Sequence, residues 1–157
     1  MAFVGLNFLA ATSGGFFKPG DWFEQLKKPS WQPPNWAFPV VWSLLYAINA
    51  FAGWLVWEQA GSEGAAFWPM VAYGISLAFN AGWSFVFFGM KRMGLATIEA
   101  GLLWLSVAVQ ILLFLPISQL ASLLLIPYLI WVTIAIALSA SVWRLNPQQR
   151  KTALGAQ

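Results

Sequence analysis

The chain has 157 residues, 60% of them hydrophobic and only 8% charged, with a net charge of +3 and a mean hydropathy of +0.69. Ordinary soluble domains carry about 25% charged residues, so this composition excludes that class and predicts an all-α integral membrane protein. Cysteine and histidine are both absent, which removes disulfides, thiolate nucleophiles, c-type haem attachment and imidazole metal ligands together.

Charged residues and turn formers divide the sequence into five apolar segments, at 2–17, 38–57, 66–90, 94–115 and 120–143, within a single transmembrane domain covering 1–157. Only helices cross a bilayer as open chains, because every backbone group must be satisfied internally. The first segment is at the short end of the spanning range. It lacks a basic leading region and a small-x-small cleavage site, and is read as an anchoring helix rather than a signal peptide. After it comes a long loop containing Pro29-Ser30-Trp31-Gln32-Pro33-Pro34-Asn35-Trp36-Ala37-Phe38-Pro39-Val40-Val41-Trp42. Prolines fix φ and remove donors, so this stretch is expected to be a stiff loop presenting flat rings, a lid at the mouth of the bundle.

The second connection, 58–65, is acidic and contains glycine; the third is Lys91-Arg92-Met93. From Ala100 to Trp143 no residue is charged. A helix of that length would reach roughly twice the ~30 Å hydrocarbon thickness, so the run must hold two spans, broken at Pro116-Ile117-Ser118-Gln119. Alternating five spans puts Lys18, Lys27, Lys28, Lys91, Arg92, Arg144, Arg150 and Lys151 on one side and no basic residue on the other. The positive-inside rule then places the N-terminus outside, with the first loop, the third loop and the C-terminus in the cytoplasm. The positive charge thus reports topology and lipid headgroups, with no support for nucleic-acid binding.

Aromatic and polar residues recur at helical spacing: Trp42, Tyr46 and Asn49; Asn80, Trp83 and Phe87; Tyr128, Trp131 and Ala135. Each set shares one helix face, and Trp42, Tyr46, Asn80, Trp83, Phe87, Trp131 and Ala135 fall in the half of the bilayer nearer the proline-rich loop, so together they can line one pocket beneath it. The plainer reading is that tryptophans anchor the interface, and Trp57, Trp68 and Trp143 at span ends fit it. Asn80, Trp83 and Trp131 lie too deep for headgroups and need partners within the bundle. Glu99, the one carboxylate inside a span, is by default a functional candidate, but its location beyond Lys91-Arg92 favours the simpler expectation that it snorkels to the interface, towards Arg92 or Arg144. Gly74, Ala78 and Gly82 form a small-residue ridge, either a homodimer face or tight internal packing.

Without histidine or cysteine there is no ordinary triad and no expected metal or obligatory cofactor; a hydrolase or metal enzyme is not expected. Aromatic walls, buried amides and a basic rim suit a planar amphiphile with acidic groups, such as a porphyrin.

Three ordered blocks, Lys28-Pro29-Ser30-Trp31-Gln32-Pro33-Pro34 running to Trp42 and Tyr46, then Leu77-Ala78-Phe79-Asn80 with Trp83 and Phe87-Phe88-Gly89, then Pro127-Tyr128-Leu129-Ile130-Trp131 with Val142-Trp143-Arg144, resemble the TspO/MBR family of tryptophan-rich sensory proteins and translocator proteins. The resemblance implies a five-helix bundle, dimeric in bacteria. It also implies a pocket under the first loop that takes porphyrins (protoporphyrin IX or haem) and isoquinoline-carboxamide ligands. Transport, sensing or scavenging of tetrapyrroles under stress are the implied roles, with light-dependent porphyrin breakdown through Trp42 and Trp131, or a regulatory partnership without a transported ligand, as alternatives. Within that pocket the resemblance implies roles for Trp42, Asn80, Trp83, Tyr128, Trp131 and Ala135; with the loop and helix-face residues Trp31, Trp36, Tyr46 and Phe87 these make up the expected ligand-binding set. One departure stands out: where the family's proposed sterol motif has a tyrosine on the last helix, this chain has Ala140 before Arg144, so sterol binding is not expected.

Overall fold

In the computed structural model, which describes Phe3, Gly5, Asn7 and residues 24–90 and 92–147, the apolar segments are helices and no strand occurs among the described residues. These helices are α1 (Ala37–Gln59), α2 (Glu63–Ser84), continued by a π-helical turn at Phe85–Gly89, α3 (Met93–Phe114), α4 (Gln119–Leu124) and α5 (Ile126–Leu145). Four stretches are long and apolar enough to cross a membrane: Ala37–Gln59, Glu63–Phe87, Met93–Phe114 and Gln119–Leu145, the shortest of 22 residues. At 1.5 Å per residue each exceeds ~30 Å. They match four of the expected spans to within a few residues. The expected span at 2–17 lies outside the described residues apart from Phe3, Gly5 and Asn7.

Local chemistry sets the helix ends. Gly61 adopts φ 69° in the turn after α1, a conformation that glycine enters without a Cβ penalty. Ser62 then caps α2 by accepting from the Ala65 N–H at 3.3 Å, and Ser118 caps α4 by accepting from the Ala121 N–H at 3.4 Å. The last span is divided at Leu125 because Pro127, in the first turn of α5, has no N–H to give the carbonyl four residues back. At the end of α2 the Met90 N–H donates to the Phe85 carbonyl at 2.9 Å, the i−5 bond of a π turn.

The third helix is central, packed on α2 along one side and α5 along the other, while α1 lies against α2 and α4. Both central pairings are antiparallel, as short connections require: Ser76 of α2 meets Gln110 of α3, and Trp104 of α3 meets Thr133 of α5. Two buried clusters result. One joins Leu45, Ala52, Val56, Tyr73, Leu103, Val107, Phe114, Leu125 and Val132; the other joins Leu26, Trp83, Phe87, Met93, Ala96, Ala100, Ala135, Leu138 and Val142.

A buried polar network threads the first cluster. Ser76 Oγ donates to Gln110 Oε1 at 2.7 Å, Gln110 Nε2 to Asn49 Oδ1 at 3.0 Å, and Asn49 Nδ2 to Asn7 Oδ1 at 3.2 Å. Asn7 in turn donates to the Tyr73 hydroxyl. In hydrocarbon each of these groups would be costly alone, so the network fixes the register of three helices against the start of the chain.

Two expectations change. Glu99 does not snorkel: both carboxylate oxygens are buried without a hydrogen-bond partner, and a Cβ placed on Gly82 would lie 3.1 Å from Oε1. The missing side chain at Gly82 leaves room for the carboxyl head between α2 and α3. Trp143 is not a free belt residue either, since its indole covers Gly94, where a Cβ would lie 3.4 Å from Nε1. By contrast Trp57 and Trp68 remain exposed near span ends, as interfacial anchors do.

Gly53 of α1 packs directly on Tyr73 of α2, for a Cβ there would lie 2.8 Å from a ring carbon of Tyr73. Gly53→Val should cost about 1–3 kcal/mol by overpacking, read as a lower unfolding midpoint in detergent. Gly64→Ala, where nothing lies within 4 Å, should be neutral or stabilising by up to ~1 kcal/mol.

Candidate functional site

The proline-rich loop ends in a helix start that the sequence pre-organises. Turns close between Pro29 and Gln32 and between Pro34 and Ala37, with N–H···O distances of 3.1 and 2.8 Å. Pro39 then occupies the first turn of α1, where its missing N–H has no intrahelical partner to lose. This fixes the direction of α1 and aims Phe38, Trp42 and Tyr46, at four-residue spacing, into the bundle.

Trp42 is the hub. Its ring centroid lies 6.0 Å from Tyr46, 6.2 Å from Trp83, 6.2 Å from Tyr128 and 6.5 Å from Trp131, the last two edge-to-face. Trp83 stacks on Phe87 at 5.3 Å, one helical turn away, and Phe38 meets the edge of Trp131 at 5.7 Å. Ala135 belongs to the same buried cluster as Trp83 and Phe87. Beneath the rings a relay crosses three helices: the Tyr46 hydroxyl donates to Asn80 Oδ1 at 2.6 Å, and Asn80 Nδ2 donates to the Tyr128 hydroxyl at 2.5 Å. Among these rings the Trp131 indole N–H is buried without an acceptor.

Eight of the ten expected residues therefore converge: Trp42, Tyr46, Asn80, Trp83, Phe87, Tyr128, Trp131 and Ala135. Trp31 and Trp36 are not brought to them. Their side chains are 50% and 69% exposed on the outside of the loop, where they suit the membrane interface. Two members were missed. Phe38 was findable, since it precedes Trp42 by one turn on the same face. Leu26, buried with Trp83, Phe87 and Ala135, is in a non-helical segment where no periodicity marks an inward side chain.

The TspO/MBR family profile matches residues 3–144. The chain belongs to the TspO/MBR family. Among its relatives, Protein CrtK of Rhodobacter capsulatus is 41% identical over 92% of this chain and 91% of its own length. The Tryptophan-rich sensory protein of Cereibacter sphaeroides is 41% identical over 90% of each. The human Translocator protein is 36% identical over 80% of this chain and 75% of its own length. Membership in TspO/MBR, a family of tryptophan-rich sensory and translocator proteins, agrees with the four apolar helices of an integral membrane protein.

The arrangement offers stacking faces, one spare indole donor and an amide–hydroxyl relay. Among the described residues no group of histidine, cysteine, aspartate or glutamate could hold a metal ion. The rings touch one another as they stand. A flat guest stacked between two of them needs faces ~7–8 Å apart, twice the carbon contact distance, so binding has to part the cluster.

Asn80→Leu should strip both tyrosine hydroxyls of their partner and cost about 1–2 kcal/mol. Tyr128→Phe should cost less, because Asn80 keeps Tyr46. Unfolding in mixed micelles, followed by tryptophan fluorescence, would rank the two; equal losses would show that the relay does not couple the helices.

Proposed function

We propose that this TspO/MBR member binds a tetrapyrrole between Trp42, Trp83 and Trp131 and acts in porphyrin transport, sensing or scavenging. The observation that carries this reading is the buried Trp131 indole N–H left unpaired among aromatic rings, an unusual expense in an apolar site unless a ligand acceptor meets it. The rings supply the stacking area that a macrocycle needs, and isoquinoline-carboxamide compounds, flat and with one carbonyl acceptor, fit the same requirements. Lys27 and Lys28 in the first loop, Arg92 before α3 and Arg144 in the last turn of α5 would be the partners for propionates. The same bias argues for an orientation with the first loop and C-terminus cytoplasmic.

Two subsidiary readings follow. Light-dependent porphyrin breakdown would use Trp42 and Trp131 as electron-rich neighbours of the excited macrocycle, with dioxygen as oxidant. A homodimer would use the face of α2 where Gly74 and Ala78 are exposed; Gly82, turned towards Glu99, serves internal packing and would not join it.

Titrating protoporphyrin IX into the detergent-solubilised protein should give saturable quenching of tryptophan fluorescence, weakened roughly tenfold by Trp131→Ala. Filling the cluster with Ala135→Phe should weaken it as well. Quenching no different from that of an unrelated helical membrane protein would remove the pocket. Illumination of the complex should yield a new pigment only if the breakdown reading holds, and Trp42→Phe or Trp131→Phe should then abolish it.

A further inference from the structure

Of residues 24–36, Leu26 alone is buried. Its side chain, 5% exposed, belongs to the cluster of Trp83, Phe87, Ala135, Leu138 and Val142, with Trp42 packed against it. The next residue is held by a two-way bridge to the end of the last span. The Lys27 N–H donates to Asn146 Oδ1 at 3.0 Å, and Asn146 Nδ2 donates to the Lys27 carbonyl at 2.9 Å. Asn146 is itself tied to its helix through the Val142 carbonyl at 2.7 Å. A single amide thus satisfies both backbone groups of one loop residue, as a neighbouring strand would, and does so immediately beside the one buried side chain among residues 24–36.

The geometry points to Leu26 as a built-in stopper that occupies the space a guest must take beside Trp83, Phe87 and Ala135, with Asn146 as the catch that holds it there. The inference rests on the pocket of the proposed function, but not on which ligand enters it. Leu26 contributes apolar contact without filling a polar requirement, so a larger flat guest can replace it. The two hydrogen bonds at Lys27 are the part a guest must break or bypass. Asn146 acts through the loop backbone at Lys27; it is a positioning residue that sets how often the stopper withdraws.

The chain has no cysteine, so Ala135→Cys places one thiol in the stoppered cluster and Ala52→Cys places one in the other cluster, where Ala52 is fully buried. In the full chain in detergent, adding Asn146→Ala should accelerate modification of the Ala135→Cys thiol by a small methanethiosulfonate reagent roughly tenfold, the shift expected from losing two ordinary hydrogen bonds. Leu26→Ala should accelerate it at least as much, Asn146→Asp, which keeps only the acceptor, by less, and the Ala52→Cys thiol should keep its rate throughout. Acceleration at both thiols would mean general loosening of the bundle, and no acceleration at Ala135→Cys would mean no stopper; either result overturns the proposal. Protoporphyrin IX should also associate faster with Asn146→Ala and Leu26→Ala, and slower association would make Leu26 part of the ligand's grip, which overturns it too. If the thiol rates behave as stated while porphyrin fails to bind, the tetrapyrrole reading falls and the stopper stands.

Discussion

Asn80 accepts from Tyr46 and donates to Tyr128, and those two hydrogen bonds tie α1, α2 and α5 at one level of the bundle. The constraint behind them is general: in hydrocarbon a side-chain amide finds no water, so its position is good only if other helices answer it. Aromatic packing around Trp42 is non-directional and could be met by several helix rotations. The relay selects the rotation in which Trp42, Trp83 and Trp131 face one another. The apolar cluster supplies area, and the polar pairs supply register.

The same constraint operates in the other half of the bundle, where Ser76, Gln110, Asn49 and Asn7 form a chain that ends at the Tyr73 hydroxyl. Asn49 lies one turn beyond Tyr46 on α1, and Ser76 one turn before Asn80 on α2, so the two networks are successive tiers on the same helices. Replacing a member of either tier therefore disturbs helix rotation at the other. Glu99 stands apart, because its carboxyl oxygens have no partner and its place is set by the gap at Gly82.

The spans and the pocket face were legible in the sequence because both follow periods that survive folding. Four helices sit within a few residues of their expected ranges, and Trp42–Tyr46, Asn80–Trp83–Phe87 and Tyr128–Trp131–Ala135 met because i, i+3, i+4 and i+7 share a helix face whatever the neighbours are. Trp31 and Trp36 were misplaced for the converse reason: a proline-fixed loop has a stiff path but no period, so composition could not tell outward rings from inward ones. Glu99 was misread because snorkelling was judged from its distance along α3, whereas the gap that takes its carboxyl is created by a glycine on α2. Such cross-helix vacancies leave no trace in local sequence. The pairing of Lys27 with Asn146, 119 residues apart, is invisible for the same reason.

These contrasts give the site a gradient of firmness. At its deep side, Tyr46, Asn80 and Tyr128 are held by side-chain hydrogen bonds between three helices, and the second tier braces the same helices one turn further on. At its loop side, among the described residues, the loop is held by apolar contact of Leu26 and by one amide at the end of α5. Groups held by dispersion alone can exchange one apolar neighbour for another with little loss, while a buried polar relay cannot be parted without stranding its donors. A guest entering between the rings would accordingly displace the loop side and leave the relay intact. On the proposed reading, the path of least cost would run past Leu26, and the relay would be the floor beneath a bound ring system.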